Sequence, residues 1–420
     1  MTEAIGVSVC VEDRTISREV RRIPVPRSDA ILENARVVHH DHVTTGSLAF
    51  DGGRVVSAPP SGAPRIDLRD HLIFPGLINA HDHLQLNGIQ PLPHERPFAN
   101  SYEWSDAVAA WRTRPGVAAS VAIPTSVRHW HGALKNLLAG ATTVAHHDPL
   151  HAICDDVDFP VGVLRNSGWS HSLGLGATTR GHAERYGPEP RISFAATSPD
   201  HPWIIHLAEG IDGVAAAELA ELEAMGCLAS NTVLVHGVAL GCDAVDRVIA
   251  RDAAVIWCPA SNIAMFGRTI DPRRLFDAGR LALGSDSRLT GSRDLLDELR
   301  VAAAKSDLQS HELLRLVTAD ASHVLRLRDC GRLESGAQAD CVIIRAGSDP
   351  YGDLLSTRRA DIRAVVRGGV PLVADLDFAE WFADCGVPTL EIRLDGKAKL
   401  LSRQVANAEA LALEPGLTIT

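Results

Sequence analysis

The stretch "FPGLINAHDHLQLNG", residues 74–88, closes an apolar run with two histidines, His81 and His83, set two apart around an acid. With 19 histidines in 420 residues, roughly one His-x-His pair arises by chance. Two others do occur, at His40–Asp41–His42 and His129–Trp130–His131. Context separates them. In a strand, side chains at i and i+2 share a face. At the end of "LIFPGLINA" both imidazoles therefore project to one side and Asp82 to the other, where it reads as structural. His40 and His42 fall in a turn beside "VTTG", without a strand or partners.

Working outward, short apolar runs alternate with helical patterns from residue 73. "LIFPGLINAH", "ATTVAHH", "PVGVLRNSG", "ISFAATS", "WIIHLAEG", "TVLVHGVAL", "AAVIWCPAS" and "LALGSDS" make eight candidate strands between residues 73 and 287. Helix-like segments such as "GVAAAELAELEAMG" and "GCDAVDRVIARD" lie between several of them. Continuous apolar strands with amphipathic crossovers imply a parallel sheet covered by helices, and eight of them imply a (β/α)8 TIM-type barrel. The gap between "ISFAATS" and "WIIHLAEG" is too short for a crossover helix. The fourth strand is therefore misplaced or that unit is trimmed, and the barrel is distorted there.

Strand texture of another kind flanks this region. "DAILENARVV", "GSLAF", "RVVSA" and "PRIDLRDHL" precede it, with "DGG" as a hairpin signal, and "GRLESGAQADCVIIRA" and "DIRAVVRGGVPLVAD" follow. The expected organisation is α/β: residues 1–72 and 329–420 form a small β-sandwich domain from both chain ends around a 73–328 barrel.

Barrel active sites sit at the C-terminal mouth of the strands. There His81 and His83 end the first strand, His206 the fifth, His236 the sixth and Asp286 the eighth. The intervals of 125, 30 and 50 residues keep register with a βα unit of about 30 residues. Imidazoles and a carboxylate converging on one face suit a metal ion.

The bulk composition narrows the function classes. A net charge of −11 without a basic run argues against gripping phosphate backbones, so nucleic acid is not an expected partner. Eight scattered cysteines without a C-x-x-C suit reduced thiols in a cytoplasmic protein. The start "MTEAIGVSVCVEDRTISREV" lacks the basic start and apolar core of a signal peptide, and no apolar run approaches a membrane span. The expected partner is a small-molecule substrate, with room for a homo-oligomer.

"PGLINAHDHL", "GATTV", "HLAE", "VHG", "CPASN", "GSDS" and the closing "GRLESGAQADCVII…IRAVVRGG" together resemble the amidohydrolase superfamily. The likeness is to its mononuclear branch, which includes cytosine and guanine deaminases and triazine hydrolases, and it spans residues 30–375. The resemblance implies His81, His83, His206 and Asp286 as ligands of one divalent metal, zinc or Fe(II). It implies Glu209 as general acid, with His236 and Asp286 handling the attacking water. Glu209 lies three after His206, so the chain must leave its strand by Ala208 or Glu209 for the carboxyl to face the site. Relatives with two metals bridge them through a lysine on the fourth strand. Here Lys135, the sole lysine between His83 and His206, reads as part of a helix before the second strand.

The implied chemistry is hydrolysis of a non-peptide C–N bond by a metal-activated water. Deamination of an aminated heterocycle or amidine comes first, cyclic amide opening or displacement of another ring substituent second, and a catalytically silent barrel last. Substrate contacts are expected from mouth loops: Gln85 and Asn87 after the first strand, His146 (and His147) after the second, and Asn166, Trp169 and His171 after the third. Ser261 and Asn262 follow the seventh strand and Arg288 the eighth. The aromatic segment "PHERPFANSYEWSDAVAAW" reads as a lid.

Overall fold

The computed structural model describes residues 26–176 and 186–420. The N-terminal residues read above for a signal peptide, and Cys10, lie outside them. Among the described residues, eight parallel strands occupy two sheets. β1 (Leu77–Asp82), β2 (Ala141–His146) and β3 (Gly162–Val163) form one. β4 (Gly168–Ser172), β5 (Trp203–Leu207), β6 (Thr232–His236), β7 (Ala254–Trp257) and β8 (Leu281–Leu283) form the other. The sheets approach where Gly284 meets His81: a Cβ on Gly284 would lie 2.6 Å from that of His81. Just beyond, the Asp286 amide donates to His81 O at 3.0 Å.

The fourth strand is not "ISFAATS". The first five of those residues belong to the helix Pro190–Ala196, started by Pro190 in its first turn and by the Glu189 side chain accepting from Ile192 N; both are helix-start signals. Phe194 then packs edge-on against Trp203, with ring centroids 5.3 Å apart. The strand beside β5 is Gly168–Ser172, four residues after β3. Parallel neighbours need a crossover of about a dozen residues, so residues 162–172 act as one element, pairing first with β2 and then with β5.

The run "LIFPGLINA" is two strands. His71–Pro75 lies in an eleven-stranded mixed sheet, and β1 starts after Gly76. Gly76 is required at this switch because a Cβ would lie 2.3 Å from Thr142 Oγ1. The mixed sheet draws on both chain ends, joined where Cys341–Arg345 runs antiparallel to His71–Pro75 with Ile343 opposite Ile73. Along His71–Pro75, Leu72 and Phe74 enter the core under the parallel sheets while Ile73 enters the mixed sheet's own core. That alternation makes one strand a wall of both. Among the described residues no helix is long and apolar enough to cross a membrane, and the seven cysteines are unpaired.

Candidate active site

Strict strand alternation delivers His206, two after the inward Ile204, but not His81, His83 or His236. Ile78 and Ala80 face inward with Ile204, Val233, Val235, Ile256 and Ala282, so unbroken pleating would turn Asp82 inward and His81 away. The β1–β2 ladder slips between Asn79 and Asp82. Such irregularities re-aim side chains beside active sites, and past this one His81 and His83 face the same centre. His236 follows the parity of Leu234, which packs outward, and is turned by a left-handed backbone at φ +76°. Ala208, at φ +53°, ends β5 and swings Glu209 inward, and Asp286 also sits at φ +53°. Left-handed non-glycine residues are costly and gather at functional sites.

The centre is built from imidazoles. His83 Nε2 lies 3.3 Å from His206 Nε2, which lies 3.3 Å from His81 Nε2. Asp286 Oδ1 lies 3.9 Å from His81 Nε2 and 4.0 Å from His83 Nε2. All four residues are buried. His83 Nδ1 donates to Asp148 Oδ2 at 2.7 Å and His206 Nδ1 donates to the His171 carbonyl at 2.8 Å. The two Nε2 atoms therefore face each other across a gap that takes a cation, either a proton or a metal ion. A tetrahedral ion with bonds of about 2.0–2.1 Å sets its nitrogens about 3.3–3.4 Å apart, matching the two spacings seen. The residues fit a divalent metal.

Charge follows the same logic. Burial and neighbouring imidazoles hold His81 and His206 well below the usual histidine range, hence neutral. Burial also opposes a proton on His83, but Asp148 overrides it and pushes the group up to about 9. The pocket thus draws positive charge. Asp286, lowered despite burial by His83 and His236, accepts from Ser261 Oγ at 2.8 Å, Thr290 Oγ1 at 2.9 Å and Ser287 N at 2.6 Å.

Glu209 Oε1 stands 3.5 Å from His236 Nε2. Burial raises the Glu209 carboxyl, with Asp286 adding to it, against opposition from His236 and a hydrogen bond from Ser101. His236 Nδ1 donates to Asn262 Oδ1 at 2.9 Å, and the Asn262 amide is fixed by donating to Thr269 Oγ1 at 2.9 Å. That leaves His236 Nε2 as an acceptor facing Glu209.

The expected substrate contacts divide. Gln85 donates to Asp148, and its Oε1 is buried without a partner among the described residues. His146 Nδ1 accepts from Leu84 N. Trp169 and His171 follow the third strand as expected but stand on a strand themselves, β4, with the His171 ring 4.7 Å from that of His206. Asn262 serves His236. Asn87 donates to Asp82 Oδ1 at 3.0 Å and accepts from Arg288 N at 3.1 Å. The Arg288 guanidinium is taken by Glu414, at 2.8 and 2.9 Å. Asn166 is not brought to the site. It lines a cavity of about 440 Å³ with Gly162, Asp200, His201 and Arg326, at the end where β4 and β5 begin.

Several groups escaped the sequence reading. Asp148 was adjacent to the noted His146–His147 pair, in "HHDP", and its position just past a strand end was the available signal. Lys135 lies in the helix Thr125–Leu138 as read, but fully buried. Its ammonium donates to Asp82 Oδ2, Ser285 Oγ and the Asp286 carbonyl, each at 3.1 Å. It braces the two strand ends that carry His81, His83 and Asp286.

Residues 192–372 match the Amidohydrolase family. A 5-methylthioadenosine/S-adenosylhomocysteine deaminase of Haloarcula marismortui is 24% identical over 405 residues, covering 84% of this chain and 91% of its own. An atrazine chlorohydrolase from Arthrobacter aurescens TC1, complexed with zinc, superposes with a TM-score of 0.66 at 21% identity over 82% of this chain and 95% of its own. An adenosine deaminase from Xanthomonas campestris with bound zinc gives 0.65 at 19% identity, over 85% and 97%. In family match, curated relatives and shared fold, this chain is similar to the amidohydrolase enzymes.

Proposed function

We propose that the enzyme hydrolyses the exocyclic amino group of an aminated heterocycle, releasing ammonia. One observation carries this: a buried carboxyl, Glu209, is raised towards its protonated form and held 3.5 Å from the acceptor nitrogen of His236, at the edge of the imidazole cluster. His81, His83, His206 and Asp286 would hold a divalent ion, which would supply a water acidic enough to react at neutral pH; zinc and Fe(II) both suit these donors. Glu209 donates its proton to the ring nitrogen beside the carbon under attack, making that carbon electrophilic. His236 Nε2 and Asp286 Oδ1 accept protons from the incoming water. One of these protons passes to the amino group, which departs as ammonia, and the other restores Glu209, so amine plus water gives the oxo heterocycle plus ammonia.

We read the two parallel sheets as arcs of one barrel, with the mixed sheet as a separate β domain. The chain works in the cytoplasm, where unpaired cysteines stay reduced. Its acidic balance favours a small molecule over nucleic acid as partner. The deaminases among its relatives make 6-aminopurine nucleosides the first compounds to try.

The test is ammonia release from a panel of aminated purines, pyrimidines and triazines. Glu209→Gln should lower turnover about 10²–10⁴-fold with metal content unchanged. A wild-type enzyme that opens a cyclic amide or displaces another ring substituent, without ammonia, would refute the deaminase reading.

A further inference from the structure

The proton donor is carried on a turn that the lid segment holds. The lid helix Ser101–Trp111 is capped by Asn100, whose side chain accepts from Tyr102 N and Glu103 N, each at 3.0 Å. Its start docks on the Glu209 turn. Ser101 N donates to Glu209 O at 2.9 Å, Ile211 N donates to Ala99 O at 2.8 Å, and Asn100 pairs with Gly210. Gly210 permits this approach, since a Cβ would lie 2.6 Å from Ala99 O.

Behind the turn lies Glu218, buried on the helix Gly213–Ala224. Its Oε2 accepts from Ala208 N at 2.7 Å, and its Oε1 accepts from the Tyr102 hydroxyl. That hydroxyl in turn accepts from Gly174 N at 2.9 Å. One carboxylate thus grips both the left-handed residue that aims Glu209 and the first turn of the lid.

We infer that Glu218 and Tyr102 are positioning residues that couple seating of the lid to the aim of Glu209. With Tyr102 in place, Glu218 is fixed by a donor on each oxygen and holds Ala208 in the conformation that turns Glu209 towards His236. With the lid withdrawn, Glu218 loses a donor, and the Glu209 turn loses its bonds to residues 99–101 as well. Charge-assisted hydrogen bonds in a buried setting are strong enough to transmit such a difference. The inference takes Glu209 as the proton donor and so rests on the proposed reaction.

The test uses the metal-loaded full chain with Tyr102→Phe, which keeps the ring, and Glu218→Gln, which keeps an acceptor for Ala208 N–H. Hydrogen–deuterium exchange reads residues 99–104 and 206–211 in both. Exchange should rise at both segments in each variant, with kcat down about 10- to 100-fold and KM within about two-fold. The double variant should lose less than the product of the singles. In Tyr102→Phe, a rise confined to 99–104, or an unchanged kcat, would overturn the coupling. If the wild type releases no ammonia, the deaminase reading falls alone, because exchange at 206–211 still decides whether lid and turn are linked.

Discussion

His83 and Asp148 form a fully buried pair, the imidazole giving its Nδ1 proton to the carboxylate across 2.7 Å. Burial works against the charge on Asp148, but His83 and the Tyr186 hydroxyl prevail and hold it well below the usual carboxylate range. The bond occupies Nδ1 of His83 and so leaves Nε2 as the atom that would meet a metal. Outer partners of ligating histidines are worth about 10- to 100-fold in metal affinity. Asp148→Ala should weaken zinc binding by that factor in a chelator competition, and unchanged affinity would assign the pair to folding alone.

Asn262 acts on His236 as Asp148 acts on His83. Removing it frees the imidazole to carry its proton on Nε2, where the reaction needs an acceptor. Asn262→Leu should lower kcat on the order of 10²–10⁴-fold while leaving bound metal at the wild-type level. The measurement is steady-state kinetics beside elemental analysis; a loss of metal instead would place Asn262 among the supports of the ligand cluster.

Glu298 gives a stability prediction with a defined sign. Burial pushes its carboxyl up to about 8, against hydrogen bonds from Ser292 and from Ala260 N, the latter at 2.9 Å. Below the ordinary value of 4.5 the group is protonated whether the chain is folded or not, and it contributes nothing. As pH rises through the interval up to about 8, the unfolded chain ionises first, and folding loses roughly 1.4 kcal/mol for each pH unit crossed. Glu298→Gln keeps the same shape and both hydrogen bonds. Its Tm should exceed wild type at pH 9 and coincide with it near pH 4; an equal gap at both would exclude ionisation as the cause.

Glu414 sits at the meeting point of three cationic or ring groups: Arg288 from the loop after β8, Arg359, and His131 at 2.9 Å. These bonds tie the C-terminal residues to the mouth loop that follows Asp286. Removing one partner of a buried pair costs about 3–5 kcal/mol. Glu414→Ala should lose that much in urea unfolding, and a loss under about 1 kcal/mol would show the arginines finding other partners.

The outline was legible because apolar strands and their spacing are one-dimensional signals. The ends of β1, β2 and β5–β8 are visible as "NAHDH", "VAHH", "IIHL", "LVHG", "IWCP" and "LGSD". Three kinds of feature were not visible. A bulge leaves no mark in periodicity, so the inward turn of His81 and His83 followed from a pleat that in fact breaks before them. Helix and strand are ambiguous in a seven-residue apolar run, and "ISFAATS" went to helix because Glu189 and Pro190 start one. Long-range polar partners leave no local pattern either: Asp148, Lys135, Glu218 and Glu414 acquire roles through residues between 10 and 283 positions away. Arg288 shows the same limit from the other side, since its position at the mouth suggested substrate and its guanidinium faces Glu414.

Three of the residues that present the site, Ala208, His236 and Asp286, lie on left-handed backbone. For anyone wishing to transplant this chemistry to another scaffold, the unit to copy is the kinked strand terminus, not the side chain. A recipient barrel with regular strand ends would turn His81, His83, Glu209 and His236 away from the centre, and a library varying only their identities would never recover the arrangement. Conversely, glycine at position 208 would be tolerated by the turn, which leaves that site open for recording, by its cost alone, how much of the aim comes from the backbone and how much from what grips it.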